Sequence, residues 1–596
     1  MMAISDSLNI STPNISEETH FQAINKLKLG KLKKEEFAFI RKVFSRPGEL
    51  HDLFKEYSCD GINIASLDLL DFIIVEQFET NVDRSTALRI INYCEPITEG
   101  REKTMLTYDG FVKFMTSPDC CIFNQAHNKI YQRMDLPLVN YFIASSHNTF
   151  FMNDQLIGWS NLHGYISALK KGCRCLEIVC CDGPENEPMV YHGLATSSQI
   201  LFKDVINVVN LYAFEASDYP LILSLEVHCN PVQQHSVADY LGNILGNRLF
   251  TLSSTGNLPS KLPSPKELKR KIIIRSKKVG SILETFRRNG EIQEREIGEY
   301  IEELDPEEEI PGREASSRTS SFRPKKKKLK IRIAMKLSDL IIYSKCVQFK
   351  SLKHSMEHQE FYESNSFSEQ RVLKLIKQSV CELVQHNSRF LSRTYPSGNR
   401  RGISNYKPHE FWNVGCQMVA LNYQSPGLCM DLNNGRFLTN GRCGYVLKPE
   451  FMNNDTKFNP FNPQHKRDPV TLIIQIIRGE HIPISKTCSK ITVDPYVQVQ
   501  IYGLPKDNAK QQSKSLHSQG NNPKWNDIFT FSIQVPELAL VRFTVRDSNL
   551  FSKNEFLGQY TLPFTSMKKG YRFVPLLSFD GLSLSPAKLF VYVWYA

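Results

Sequence analysis

This chain of 596 residues has no apolar run near the roughly 18 residues that cross a bilayer, so no transmembrane helix is expected. Its N-terminus, MMAISDSLNISTPN, has neither the basic start nor the apolar stretch of a secretory signal. The 15 cysteines are scattered, and the close pairs Cys120-Cys121, Cys173/Cys175 and Cys180-Cys181 lack zinc-ligand spacing. Without a signal, these features predict reduced thiols in a cytoplasmic protein. Wholesale disorder is excluded by 41% hydrophobic and 11% aromatic content.

What is there is too long for one core, and three to five domains are expected. A net charge of +11 suits an anionic partner, either nucleic acid or an acidic membrane surface. The basic residues gather in one linker without interleaved aromatics, which argues against nucleic acid.

From about residue 20 to 130, apolar positions recur at helical spacing, as in LHDLFKEY and LDLLDFIIVEQF. Helix–loop–helix pairs of this size suggest EF-hands. The loop beginning Tyr57-Ser-Cys-Asp-Gly-Ile-Asn lacks the alternating oxygen ligands and closing Glu of a calcium loop, so a structural module without metal is expected. From about 138 come short β-runs, NYFIASSHN, CRCLEIVC, PMVYHG, LILSLEVH and KIIIRSKK, alternating with helical stretches. That many strand–helix units in series favour a parallel barrel. Residues 281 to about 328 interrupt it with an acidic run (EIQEREIGEYIEELDPEEE) and then a serine-rich one ending in lysines, which reads as a flexible insert. Strand-like runs resume at KIRIAMKLSDLIIYSK and continue through MVALNYQS. From about 468, alternating runs between turn signals describe an antiparallel β-sandwich. The expected divisions are 1–135, 136–280, 281–328, 329–450 and 451–596: helical module, first barrel half, charged linker, second barrel half, and connector plus sandwich.

In a β/α barrel, reactive groups sit at the carboxyl ends of the strands. The ends of the five runs supply His147 and Asn148, Glu177, His192, Glu226, then Arg275 and Lys277. Imidazoles pass protons, carboxylates and an amide oxygen suit a hard cation such as calcium, and cations suit phosphate. Each also has a structural explanation: a satisfied strand-end histidine, a carboxylate paired to a lysine, a solvated cation. Their shared position at strand ends favours a site.

The motifs SSHNTF, GCRCLEI, PMVYHG, LILSLE and KIIIRSKK, in that order, resemble the X half of eukaryotic phosphoinositide-specific phospholipase C. FYESNSFSE, LSRTYP, FWNVGCQMVALNYQ and GYVLKP resemble its Y half, and the final sandwich its C2 domain. The likeness covers about 90% of the chain. With no segment ahead of the helical module for a pleckstrin-homology domain, it is nearest the zeta type known from sperm, which implies a role in egg activation at fertilization. The resemblance implies a split TIM-type barrel with an EF-hand-like module and a C2 domain. It also implies calcium-dependent cleavage of phosphatidylinositol 4,5-bisphosphate. His147 would stabilise the charged transition state and His192 protonate the leaving oxygen. Asn148, Glu177 and Glu226 would hold calcium, one glutamate also taking the inositol 2-hydroxyl proton. Arg275, Lys277, Ser368 and Arg393 would face the phosphates, with Tyr395 packed on the ring and Leu156 on a membrane-dipping rim. The partners implied are an inositol phospholipid in a membrane surface, with the chain acting as a peripheral monomer in the cytoplasm and possible perinuclear placement.

The departures are specific. Val179 stands where the family has an acidic calcium ligand, Cys181 replaces a tryptophan, Val227 an asparagine and Leu194 an aromatic. The loss at Val179 implies an impaired site, and it keeps open a catalytically inactive phosphoinositide- or protein-binding module. Lys325, Lys326, Lys327 and Lys328 form a polybasic handle for anionic lipid. In the sandwich, Asp494 and Asp547 sit on loops where C2 domains take calcium. Asn549 replaces a further acid there, so weak binding is expected.

Overall fold

A computed structural model describes residues 49–150, 162–191, 199–252, 258–288, 297–303, 328–398, 400, 403–454, 458–463, 468–484, 493–517, 520–548 and 554–596. It divides into two compact units, residues 1–116 and 117–596. No described helix is long and apolar enough to cross a membrane. The described cysteines are all free.

The first unit contains helices Leu50–Tyr57, Ser66–Val75, Arg84–Cys94 and Tyr108–Met115. Its two loops pair through the short strands Asn63–Ala65 and Met105–Thr107. Asp60 spends its carboxylate on its own turn, accepting from the backbone of Ile62 and Asn63 and from the Ser58 hydroxyl. Those bonds hold its pKa far below the usual range.

In the second unit, eight parallel strands close on themselves. They are β1 Tyr141–Ser146, β2 Cys175–Cys181, β3 Leu221–Val227, β4 Ile272–Lys277, β5 Lys345–Cys346, β6 Glu363–Ser368, β7 Leu391–Tyr395 and β8 Met418–Leu421. The ring shuts where β8 and β2 both pair with β1. β1 and β2 are buried along their full length, as strands covered on both faces must be. A helix follows each strand, and its start is written locally. After β3, Asn230 accepts from the amides of Val232 and Gln233, with Pro231 opening the helix.

Three segments differ from the sequence expectation. PMVYHG contributes no barrel strand: Met189–Val190 runs antiparallel to the end of β2 and pairs onward with Ile200–Leu201. A two-residue strand carries no signal for its direction. KIRIA also stays outside the ring. Lys328–Ala334 pairs antiparallel with Ile297–Glu303, inside the acidic segment read as a flexible insert. Ile297–Glu303 alternates its side chains, so Gly298, Tyr300 and Glu302 share one face, and an ordered ribbon results. The division expected at 135 falls at 116, and residues 121–124 pair with the sandwich. The amide of Ile122 donates to the Phe573 carbonyl, Asn124 to that of Ser566, and the Lys568 amide to that of Ile122.

The sandwich has strands β9 Val470–Glu480, β10 Pro495–Tyr502, β11 Ala509–Gln512, β12 Lys524–Ile533, β13 Leu540–Asp547, β14 Glu555–Pro563, β15 Gly570–Leu577 and β16 Ser583–Tyr595. They form two four-stranded layers, β11-β10-β13-β14 and β15-β16-β9-β12, whose one strand pairing among the described residues is Gln559 opposite Leu577. The barrel docks on it through helix Leu428–Arg436. Gly435 permits the close approach, since a Cβ there would lie 2.6 Å from the Thr561 methyl. Beside it, Arg542 donates from Nη2 and Nε to Asp431 Oδ2 at 2.8 and 3.2 Å. Both residues are buried.

This pair makes a pH-dependent prediction. Burial raises the Asp431 carboxyl pKa, and Arg542 opposes that rise. A carboxyl raised on folding contributes stability below its unfolded pKa and loses it as pH climbs through the folded one. Removing Arg542 raises it further. Arg542→Met should therefore cost about 3–5 kcal/mol near neutral pH, and the deficit in urea midpoint should shrink as pH is lowered toward 4.

Candidate active site

The site is built on the inward faces of the strands at their carboxyl ends. On β2, Glu177 points into the barrel and is only 6% exposed. Its Oε1 accepts from Arg393 Nη2 of β7 at 2.7 Å, and its Oε2 accepts from the Asn148 amide at 2.8 Å. Asn148 follows β1 in the left-handed region (φ 45°), which turns its amide toward the carboxylate. Burial alone would lower the Arg393 pKa, but the Glu177 carboxylate, first among the neighbours that oppose it, leaves it raised. His147 places Nε2 3.7 Å from Glu177 Oε2 and lies parallel to Tyr395, ring centres 6.3 Å apart. Its Nδ1 meets Asn422 Oδ1 at 3.0 Å.

Around these groups stand others of the expected set. Ser368 ends β6 and caps helix Glu369–Arg389, its Oγ accepting from the Arg371 amide. That puts a helix N-terminus, favourable to anions, at the mouth. Glu226 on β3 is half-exposed and accepts from His228 Nε2 at 2.8 Å. This bond raises the His228 imidazole pKa against the opposing effect of burial. Lys277 at the end of β4 donates to Glu302 of the acidic ribbon at 2.6 Å and lies under the Tyr300 ring.

Models of known families match four segments. They are the phosphatidylinositol-specific phospholipase C X domain over 134–278, its Y domain over 337–451, a C2 domain over 470–575, and the efhand-like region of phosphoinositide-specific phospholipase C over 40–125. The chain is 44% identical over 99% of its length to the 1-phosphatidylinositol 4,5-bisphosphate phosphodiesterase zeta-1 of Bos taurus, covering 95% of that protein. It belongs to the phosphoinositide-specific phospholipase C family. The zeta-1 protein of Homo sapiens is 43% identical over 99% of the chain, covering 95% of that protein. The delta-4 protein of Xenopus laevis is 42% identical over 99% of the chain, covering 78% of it. Among solved structures, the crystal structure of L. pealei PLC21 superposes with a TM-score of 0.75 at 29% identity, covering 96% of this chain and 70% of that one.

Against this phospholipase C frame, His147, Asn148, Glu177, Arg393 and Tyr395 come together, with Ser368, Lys277 and Glu226 on the surrounding strand ends. Arg275 sits deeper in the barrel. It lies two residues below Lys277 on the same face, 2% exposed, donating to Ser224, Ser366 and the Asn365 carbonyl. Those bonds brace the barrel interior. His192, Leu156, Asn549, Lys325, Lys326 and Lys327 lie outside the described residues; Lys328 begins the ribbon strand paired with Glu303. In the sandwich, Asp547 is buried and accepts from the Asp494 amide at 2.7 Å. Sequence reasoning missed Asn422, His228 and Glu302. Asn422 sits one residue past β8, the strand end where the same rule that found the others applies.

The donors test the calcium that the family resemblance implies. Val179 is 3% exposed and packs in the apolar core of the barrel. Both oxygens of Glu177 already accept hydrogen bonds. Among the described residues no three His, Cys, Asp or Glu side chains converge as a metal site. With Val179 apolar and both Glu177 oxygens engaged, the described residues offer fewer free oxygen donors than the expected calcium cage.

Arg393→Met leaves Glu177 buried without its countercharge, which should cost about 3–5 kcal/mol. Urea unfolding midpoints of the single variant and of Glu177→Gln/Arg393→Met should show most of that loss recovered in the pair.

Proposed function

We propose that this chain hydrolyses phosphatidylinositol 4,5-bisphosphate to diacylglycerol and inositol 1,4,5-trisphosphate at a membrane surface, which its C2 domain reaches peripherally. The observation that carries the reading is the convergence of His147 and Glu177 from the X half with Arg393 and Tyr395 from the Y half at one barrel mouth.

The inositol 2-hydroxyl attacks the 1-phosphorus, and the bond from phosphorus to the diacylglycerol oxygen breaks. Water then opens the cyclic phosphate. Glu177, held by Arg393 and the Asn148 amide, is a poor base. Glu226, half-exposed, is the better acceptor for the 2-hydroxyl proton. His147 Nε2 faces the mouth and offers charge stabilisation to the transferring phosphate. His192 is assigned the leaving-group proton on its motif. Lys277, Ser368 and the helix dipole behind it face the ring phosphates, and Tyr395 packs against the ring.

Release of inositol trisphosphate from labelled phosphatidylinositol 4,5-bisphosphate vesicles at micromolar calcium should exceed a His147→Ala control by about 100-fold or more. Equal rates would sink the enzyme reading. Val179 favours a second reading, a phosphoinositide-binding module without turnover, and the same assay decides between them.

The Val179 position has its own test. Val179→Asp adds an oxygen donor beside Glu177 and opposite Glu226 in the strand pairing. Calcium affinity by titration calorimetry should rise at least 10-fold, whether or not the rate follows.

A further inference from the structure

The mouth contains one polar contact that no motif announced, between His147 of the X half and Asn422 of the Y half. Its direction follows from the rest of the Asn422 amide. Asn422 is 3% exposed. Its Nδ2 points at the Ile403 carbonyl at 3.0 Å, and a carbonyl only accepts. The nitrogen must therefore face Ile403, and the oxygen must face His147. A flipped amide would set two oxygens against each other and leave a buried donor misdirected. The backbone is fixed as well. The Asn422 amide donates to Asn405 Oδ1 at 2.7 Å, and Asn405 Nδ2 returns a bond to the Asn422 carbonyl at 3.0 Å. The Asn405 carbonyl in turn accepts from Arg400, whose guanidinium is paired with Glu369.

With an oxygen fixed against it, His147 Nδ1 must carry a proton. The neutral ring then has its lone pair on Nε2, facing Glu177 and the mouth. In the charged ring both nitrogens donate, and Asn422 still fits. We propose that Asn422 is a positioning residue that fixes His147 as the Nδ1–H tautomer, making Nε2 the single nitrogen that exchanges a proton or hydrogen bond with substrate. The Y half thereby sets the chemistry of an X-half residue without touching the substrate. This rests on the phospholipase reading for its effect on rate, but not for the tautomer.

The full chain labelled with ¹⁵N-histidine gives the direct measurement, the His147 resonance being assigned by its loss in His147→Gln. At alkaline pH the wild-type ring should show an unprotonated Nε2 and a protonated Nδ1. Asn422→Leu, close in volume but without an acceptor, should abolish that preference. Asn422→Ala carries the same comparison should the Leu variant not fold. In vesicle assays the Leu variant should lose about 10–100-fold in kcat with KM within about twofold. An Nε2–H ring in the wild type, or a tautomer unchanged in the Leu and Ala variants, would overturn the proposal. If the wild type shows no turnover, the phospholipase reading fails while the nitrogen resonances still decide this one.

Discussion

The buried ion pair between Glu177 and Arg393 is the constraint on which the barrel mouth turns. It joins β2 to β7 across the lumen, so a strand written early in the chain is held by one written more than 200 residues later. Two charges this deep in a protein lose their hydration and are tolerable only as a pair with further hydrogen bonds. The Asn148 amide supplies one of those bonds and in doing so fixes the turn after β1. That turn sets where His147 stands. The placement of the imidazole, the left-handed backbone at Asn148 and the closure of the mouth thus share one electrostatic cause.

The same dependence of one half on the other recurs along the seam. β1 is bonded on one side to β2 and on the other to β8, and Asn422 just beyond β8 reaches His147 just beyond β1. Neither half closes a sheet alone. The charged segment between them contributes an ordered ribbon whose Glu302 holds Lys277. A cation that would otherwise face an anionic ligand is neutralised by the chain's own carboxylate, so phosphate contact at that lysine requires an exchange of partners. Farther out, Asp431 and Arg542 anchor the sandwich to the helix after β8, tying a lipid-binding fold to the Y side of the barrel.

Much of this was legible in the sequence, for a physical reason. A strand buried on both faces has to be a run of apolar residues, and the polar group that breaks it marks the mouth, so β1 to β4 and their terminal His147, Glu177, Glu226 and Lys277 could be read directly. Direction and partner were not legible. Met189–Val190 and Lys328–Ala334 have the composition of barrel strands, and only pairing reveals that they run antiparallel outside it. Arg275 looked like Lys277 because depth along a barrel axis is a tertiary quantity. Residues 121–124 continued a helical reading, although their backbone is claimed by the sandwich more than 440 residues away. Asn422 carried a signal in its position, but an asparagine at a strand end is ordinary until its partner is known.

The ion pair also changes what Val179 means. Glu177 meets a structural demand: without it Arg393 would be a buried cation stripped of the carboxylate it is bonded to, whatever the chain catalyses. Its presence therefore says little about calcium or turnover. Glu226 is different. It is half-exposed, bonded only to His228 among the contacts seen, and the barrel does not need its charge. Val179 pairs with Glu226 across β2 and β3 while it packs into apolar surroundings. A valine there suits the core and removes an oxygen from the mouth. The residues that separate an enzyme from a lipid-binding module are thus the ones with no structural reason to be polar. Glu226 is such a group, and its half-exposed carboxylate stands at the open mouth.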